Sequence, residues 1–228
     1  MINILENKVE KWRLRDVIYS YVLLNIVICV GVIIEYVLVD YIKLPFQLND
    51  IEEHLLHHFA ELAIMLLPIW FLIKRYPIIK LKDLIFFNKK KLTPFFIGVV
   101  CYGIIAIIGF SNIYWKSVPP LMLLINYKGF YCTLFLINLL VLAPFIEELF
   151  FRGLVFTILK NRFNFFWGMT VTAILFSVGH ESWFNAIIRS IIFTYVYEKT
   201  NCLLFAILTH TFVNAMAIVS ALITFYYF

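Results

Sequence analysis

Long apolar runs separated by short charged stretches make up most of this chain. Runs at 17–39, 55–73, 93–115, 131–159, 164–180, 183–197 and 203–225 each predict a helix, because about 20 apolar residues in helical form cross the hydrocarbon layer of a bilayer. The fourth run is the longest and is expected to be tilted or kinked. The fifth and sixth are short, so one of them is expected to be re-entrant or buried among its neighbours. Pro144 lies inside the fourth run. It has no N–H to give the carbonyl of Leu140, which predicts a kink and a freed carbonyl at that point. Gly153 and Gly179 are expected to let helices approach closely.

Composition turns this pattern into a class. Of 228 residues, 63% are hydrophobic and 14% are charged, where a soluble domain carries about 25% charged residues. A larger core cannot absorb that deficit, so most of the surface is expected to face lipid. The fold class expected is all-α: a polytopic integral membrane helical bundle of about seven spans, acting as one integrated unit. Residues 1–125 would supply variable N-terminal helices and 126–228 a catalytic helical core. The first run is too long for a signal-peptide core and no small-residue cleavage site follows it, so it is expected to be retained. Cys29, Cys101, Cys132 and Cys202 are scattered singly and read as small buried hydrophobes.

The net charge of +5 does not indicate nucleic acid, because the basic residues flank the apolar runs as topology signals do. Lys8, Lys11, Arg13 and Arg15 precede the first run, and seven more basic residues fill 74–91. This bias puts the N-terminus in the cytoplasm. Seven spans would leave the C-terminus outside; an eighth or re-entrant segment would reverse that. The Lys, Ile, Phe, Asn and Tyr usage suggests an AT-rich bacterial genome, hence a bacterial cell membrane.

Ionisable residues at bilayer depth are costly and mark function by default. Three groups of them lie in the C-terminal half: Glu147-Glu148-x-x-x-Arg152, Phe176-x-x-x-His180 and His210-x-x-x-Asn214. Glu148 and Arg152 are at i,i+4 and can pair. Glu147 is turned about 100° away by the helical period and can face another partner. These side chains supply what amide hydrolysis needs. A carboxylate and an imidazole can share a water and remove its proton. A second imidazole and an amide can donate to the oxyanion.

The same three motifs, in this order, resemble those of the CPBP family (CAAX proteases and bacteriocin-processing enzymes, also called Abi), which includes the type II CAAX prenyl endopeptidases. The likeness covers about residues 130–218, including the stretches EELFFRGLVF and YVYEKTNCLLFAILTHTFVNA. It implies an intramembrane endopeptidase in which Glu147 and His180 activate water, Arg152 orients Glu148, and His210 and Asn214 hold the oxyanion. It leaves two mechanisms open: metal-free water activation, or a zinc ion on Glu147, His180 and His210. The implied partners are a peptide or lipidated peptide and the lipid bilayer. Segment 186–194 departs from the family's usual glycines and carries Arg189 and Ser190 instead. Phe176 is expected to shape the site by packing.

Other residues carry weaker signals. Arg189 could bind a substrate carboxylate or a lipid phosphate, or else snorkel or pair with Glu181. His54, His57, His58 and Glu61 share one helical face and suit either zinc or a solvated interfacial entrance. Asn25 and Glu35 are expected to make interhelical contacts. HExxH, GxSG, GxGD and aspartate-rich prenyl-diphosphate motifs are absent from the sequence. Two further functions compete with proteolysis: a non-proteolytic bacteriocin immunity or binding protein, and a proton-coupled transporter. The transporter reading lacks the internal repeats such proteins show. Equal spans would leave His180 and His210 at different depths, so convergence of the motifs requires a tilted, re-entrant or incompletely spanning segment.

Overall fold

The computed structural model describes residues 50–75, 92–110, 129–180 and 182–227, with positions 15, 18, 19, 22, 26 and 30. Six helices make up the described regions: α1 Asp50–Arg75, α2 Leu92–Phe110, α3 Phe130–Arg162, α4 Phe165–Val178, α5 Trp183–Thr200 and α6 Leu203–Tyr227. No strand occurs among the described residues. Most of the first expected span, with Asn25 and Glu35, and the charged segment 76–91 lie outside the described residues.

Among the described residues, two helical stretches are by themselves long and apolar enough to cross a membrane, Phe130–Arg162 and Leu203–Ile223. Leu92–Ile104 and Phe165–Val178 are apolar but shorter. The surface nevertheless has the polarity of a lipid-facing protein. Trp70, Phe96, Val100, Phe166, Val178 and Phe184 are exposed, whereas Glu148, Arg152, Ser190, Thr194 and Thr209 are completely buried. A water-soluble monomer rarely exposes large contiguous apolar patches. Between lipid-facing helices there is little hydrophobic gain, so packing and interhelical hydrogen bonds hold the bundle.

Helix α3 is regular at Phe130–Ile137, Ala143–Glu148 and Thr157–Arg162, and π-helical at Asn138–Leu142 and Leu149–Phe156. Pro144 explains the first widening. In the π turn the Ala143 N–H donates to the Asn138 carbonyl. The next N–H in that series belongs to residue 144, which as proline has none. The carbonyls of Leu139 and Leu140 are taken instead by α6: Asn214 Nδ2 donates to Leu139 O at 2.9 Å and Thr211 Oγ1 to Leu140 O at 2.8 Å. The carbonyl that the proline frees thus becomes part of a two-point dock for α6.

Helix α4 begins at an Asn164 cap, whose Oδ1 accepts from the Trp167 N–H at 3.0 Å, and it ends at Val178 before Gly179. Its 14 residues reach about 21 Å at 1.5 Å per residue, less than the roughly 30 Å hydrocarbon core. The ring of Phe176, in the last turn of α4, touches both the His180 and the His210 imidazoles, so the two motifs converge although α4 is short. At Asn201 the backbone turns with φ 47° in the left-handed region, where Asn is tolerated, and α5 passes into α6.

Close helix approach occurs at Gly168 and Gly98 and not at Gly179, while Gly153 is buried in α3. A Cβ on Gly168 would lie 2.9 Å from the Lys160 backbone nitrogen, and one on Gly98 would lie 2.4 Å from Val196 Cγ2. Gly179 faces open space, because it lies past the end of α4 and not between helices. The cysteines also divide: Cys202 is buried, Cys132 is half-buried, and Cys101 is exposed on the apolar outside of α2, where a small thiol is as acceptable as in a core.

Candidate active site

The centre of the bundle is built on Glu148. Its Oε1 accepts from Arg152 Nη1 at 2.9 Å and from His210 Nδ1 at 2.8 Å. Arg152 continues to α5, where Nη2 donates to the Ser190 carbonyl at 3.1 Å and to its hydroxyl at 2.7 Å. Three aromatic rings surround the guanidinium, with Phe176 at 4.8 Å, Phe193 at 5.2 Å and Phe151 at 5.9 Å from Cζ to the ring centroid. A buried ion pair survives desolvation only with good geometry and added hydrogen bonds, and cation–π contact strengthens when water is excluded. Glu148 and Arg152 are both fully buried, and Ser190, His210 and the rings provide that support. The pair is one-pronged: Glu148 Oε2 and Arg152 Nε have no hydrogen-bond partner.

His210 is fixed from three sides. Its Nδ1 meets Glu148, its ring stacks on Phe193 at 4.6 Å, and Phe176 meets it edge-on at 5.9 Å. Thr211 and Asn214 then set the depth of α6 through the carbonyls beside Pro144. The remaining nitrogen, Nε2, lies 4.0 Å from Glu147 Oε2. That oxygen is buried and has no hydrogen-bond partner, while the Glu147 side chain as a whole is 15% exposed. The adjacent glutamates therefore differ: Glu148 is bound into the scaffold and Glu147 presents a free oxygen to His210.

His180 lies at the end of α4. Its ring stacks on Phe176 at 4.4 Å, and its Nδ1 is 2.8 Å from the Phe176 carbonyl. Phe176 thus touches both imidazoles and the Arg152 guanidinium, the packing role expected of it. All six candidate residues, Glu147, Glu148, Arg152, His180, His210 and Asn214, belong to this centre or its dock, but the pairing differs from the expectation. The imidazole within ion-pair reach of Glu147 is His210, and His180 instead bonds to its own helix end. The Asn214 amide is engaged by Leu139.

The zinc alternative needs Glu147, His180 and His210 to converge as a three-donor set. Both Nδ1 atoms are hydrogen-bonded, to Glu148 and to the Phe176 carbonyl, which leaves each Nε2 open. Among the described residues no three His, Cys, Asp or Glu side chains are grouped to hold a metal ion. The three proposed donors are not gathered into one such group in this arrangement. The side chains of His54, His57 and Glu61, and the whole of Glu181, lie outside the described residues, and so do the helix-face zinc reading and the Arg189–Glu181 pair.

Ser190, Phe193 and Thr211 are functional neighbours that the motifs do not reveal. Ser190 has one visible sign: it lies in segment 186–194, where the resemblance implies glycines and this chain has none. Against this geometry the comparisons are specific. Residues 129–216 match a family model described as type II CAAX prenyl endopeptidase Rce1-like. This C-terminal region is similar to that family. The matched stretch contains α3, α4, α5 and the first half of α6, and with them every residue of the polar centre. Comparisons with curated proteins and with solved structures gave no match. The family is membrane-embedded, in keeping with the two spanning-length helices and the apolar exterior.

Proposed function

We propose that this protein is an intramembrane endopeptidase that hydrolyses a peptide or lipidated peptide with a water activated by Glu147, without a resident metal. The observation that carries the reading is the free, buried Glu147 Oε2 held 4.0 Å from His210 Nε2. That separation is too long for a direct hydrogen bond and suits a water or a substrate oxygen bound by both groups.

In the proposed reaction Glu147 takes a proton from water as the water oxygen bonds to the scissile carbonyl carbon. The carbonyl oxygen becomes the oxyanion. His210, held by Glu148 through Nδ1, turns Nε2 toward Glu147 and stabilises the oxyanion when Nε2 carries a proton. Asn214 retains a second amide hydrogen besides the one given to Leu139 and stands one turn along the same face of α6. The C–N bond then breaks as Glu147 returns the proton to the leaving amine. His180 borders the same space through Phe176 and serves as a second polar contact to the water or the substrate. Arg152 acts through Glu148 and is a positioning residue.

The substrate classes proposed are leader-bearing peptides, bacteriocin or pheromone precursors, and CAAX-type lipidated peptides. The protein is proposed to lie in a bacterial cell membrane with seven helical spans, the first at 17–39, and its N-terminus in the cytoplasm.

The test is proteolysis by the purified protein in detergent on a panel of leader peptides and a farnesylated CAAX peptide. Wild type is compared with Glu147→Ala and His180→Ala, each with and without a chelator. Expected are cleavage by wild type that survives chelation, its loss in Glu147→Ala, and a smaller loss in His180→Ala. Cleavage abolished by the chelator and restored by zinc would overturn the metal-free mechanism. Bacteriocin protection of cells that persists in both variants, with no peptide cleaved, would overturn the protease reading.

A further inference from the structure

One cation near the site is not used by this scheme. Arg189 lies on α5 next to Ser190, and its residue neighbours along the helix show which way that face looks. Ala186, three residues before, and Phe193, four after, are fully buried, and Ile192 is 9% exposed. Arg189 therefore occupies the inner face of α5, the face whose Phe193 stacks on His210. Its only hydrogen bond among the described residues is a long one, 3.4 Å from Nε to the Asn185 carbonyl. No carboxylate among the described residues lies within 4.0 Å of it.

Helices α5 and α2 pack against each other, and the charge of Arg189 bears on Glu147, His180 and Tyr102 of α2. Tyr102 is half-buried against the main core cluster, and its hydroxyl has no hydrogen-bond partner among the described residues. A guanidinium on the inner face of a lipid-facing bundle, without a carboxylate partner among the described residues, is costly in place of its solvation. A residue that served to reach lipid headgroups would lie on the outer face, with Trp183, Phe184 and Ile191. A planar guanidinium on one helix and a phenol on the helix packed against it can together receive a carboxylate.

We propose that Arg189, assisted by the Tyr102 hydroxyl, forms a subsite for a carboxylate of the peptide substrate, next to the hydrolytic centre. The subsite rests on the endopeptidase reading. It makes Arg189 a specificity-determining residue, through either the substrate's C-terminal carboxylate or an acidic side chain near its C-terminus. This recognition belongs to the segment where the chain departs from its family's usual glycines.

Three farnesylated CAAX-type peptides distinguish the possibilities: one with a free C-terminus, the same peptide as its C-terminal amide, and an amide with Glu as its last residue. Wild type is expected to cleave the free acid at least about 10-fold better than the plain amide. Arg189→Gln is expected to lose about 10- to 100-fold in kcat/KM on the free acid, mostly through KM, and nothing on the amide. Arg189→Lys should recover part of the loss, and Tyr102→Phe should show a smaller one. Equal activity of Arg189→Gln on the amide also reports that this variant is folded. Recovery of cleavage by the Glu-bearing amide assigns recognition to any nearby carboxylate; its failure assigns it to the chain terminus. Loss that is equal on acid and amide, or absent from both, overturns the subsite, as does a loss that instead follows the anionic lipid content of proteoliposomes. If wild type cleaves none of the three, the subsite falls together with the CAAX-type substrate, while cleavage of the leader-peptide panel decides the endopeptidase reading separately.

Discussion

Glu148 and Glu147 are neighbours in sequence and opposites in environment. Glu148 is fully buried and accepts from Arg152 and His210 through one oxygen. Glu147 is partly exposed, with an unpartnered oxygen 4.0 Å from His210. A turn of about 100° per residue is enough to divide structural from chemical duty between two identical side chains. The comparison yields its largest expected effect at the open member. Glu147→Gln keeps shape and volume and removes the base. Turnover on a cleavable peptide should fall about 10²- to 10⁴-fold, while the thermal unfolding midpoint in detergent stays within the error of wild type. A large loss of stability instead would mean that Glu147 is a scaffold residue like Glu148.

The locked member should fail in the reverse way. Arg152→Leu leaves the buried Glu148 without its cation and frees the Ser190 hydroxyl and carbonyl. Breaking one side of a buried pair costs about 3–5 kcal/mol. The expected result is a marked drop in unfolding midpoint, with activity lost in proportion to folded protein. Replacing both partners, as in Glu148→Gln with Arg152→Leu, should recover much of the stability and none of the activity, since His210 would then lack the carboxylate on its Nδ1.

How far the sequence disclosed this site depends on the range of each interaction. Helix ends were legible wherever polar residues or glycine interrupt an apolar run: 164–180 and 203–225 were expected, and Phe165–Val178 and Leu203–Tyr227 are found. The i,i+4 pairing of Glu148 with Arg152 was legible because it is local. The freed carbonyl at Leu140 was legible from proline chemistry alone. Its recipient, Thr211, is 71 residues away, and no periodicity reports such a partner. The same holds for Ser190 and Phe193, which reach Arg152 and His210 only because α5 folds back across α3 and α6. The π turns flanking the glutamates were hidden too, since the pattern indicated a kink at Pro144 but not how the backbone would absorb it. The family resemblance pairs His180 with Glu147, whereas α4 ends in a way that turns the His180 ring onto its own last turn.

The dock of α6 gives a smaller effect that separates position from chemistry. Thr211→Val keeps the β-branched shape and removes the donor to Leu140. Interhelical hydrogen bonds in membranes average about 0.6 kcal/mol, so stability should fall only slightly. Activity should fall further than stability, by several-fold, because the dock sets the depth of His210 against Glu148. An activity loss no greater than the stability loss would detach this hydrogen bond from the site.

The smallest effect is expected at a pair that looks stronger on distance alone. Lys160 Nζ reaches both oxygens of Glu198, at 2.7 and 2.8 Å, and ties the end of α3 to the end of α5. Its contacts are shorter than that between Arg152 and Glu148. Its side chains, however, are 27% and 23% exposed, and a pair open to water and salt contributes about 0–1 kcal/mol. Lys160→Met should therefore shift the unfolding midpoint little and leave kcat/KM unchanged, and raising the ionic strength should shrink even that shift. What sets Arg152 apart from Lys160 is burial and the number of groups that depend on it. A Lys160→Met variant as damaged as Arg152→Leu would refute that ordering and would move the bundle's main electrostatic support from its centre to its edge.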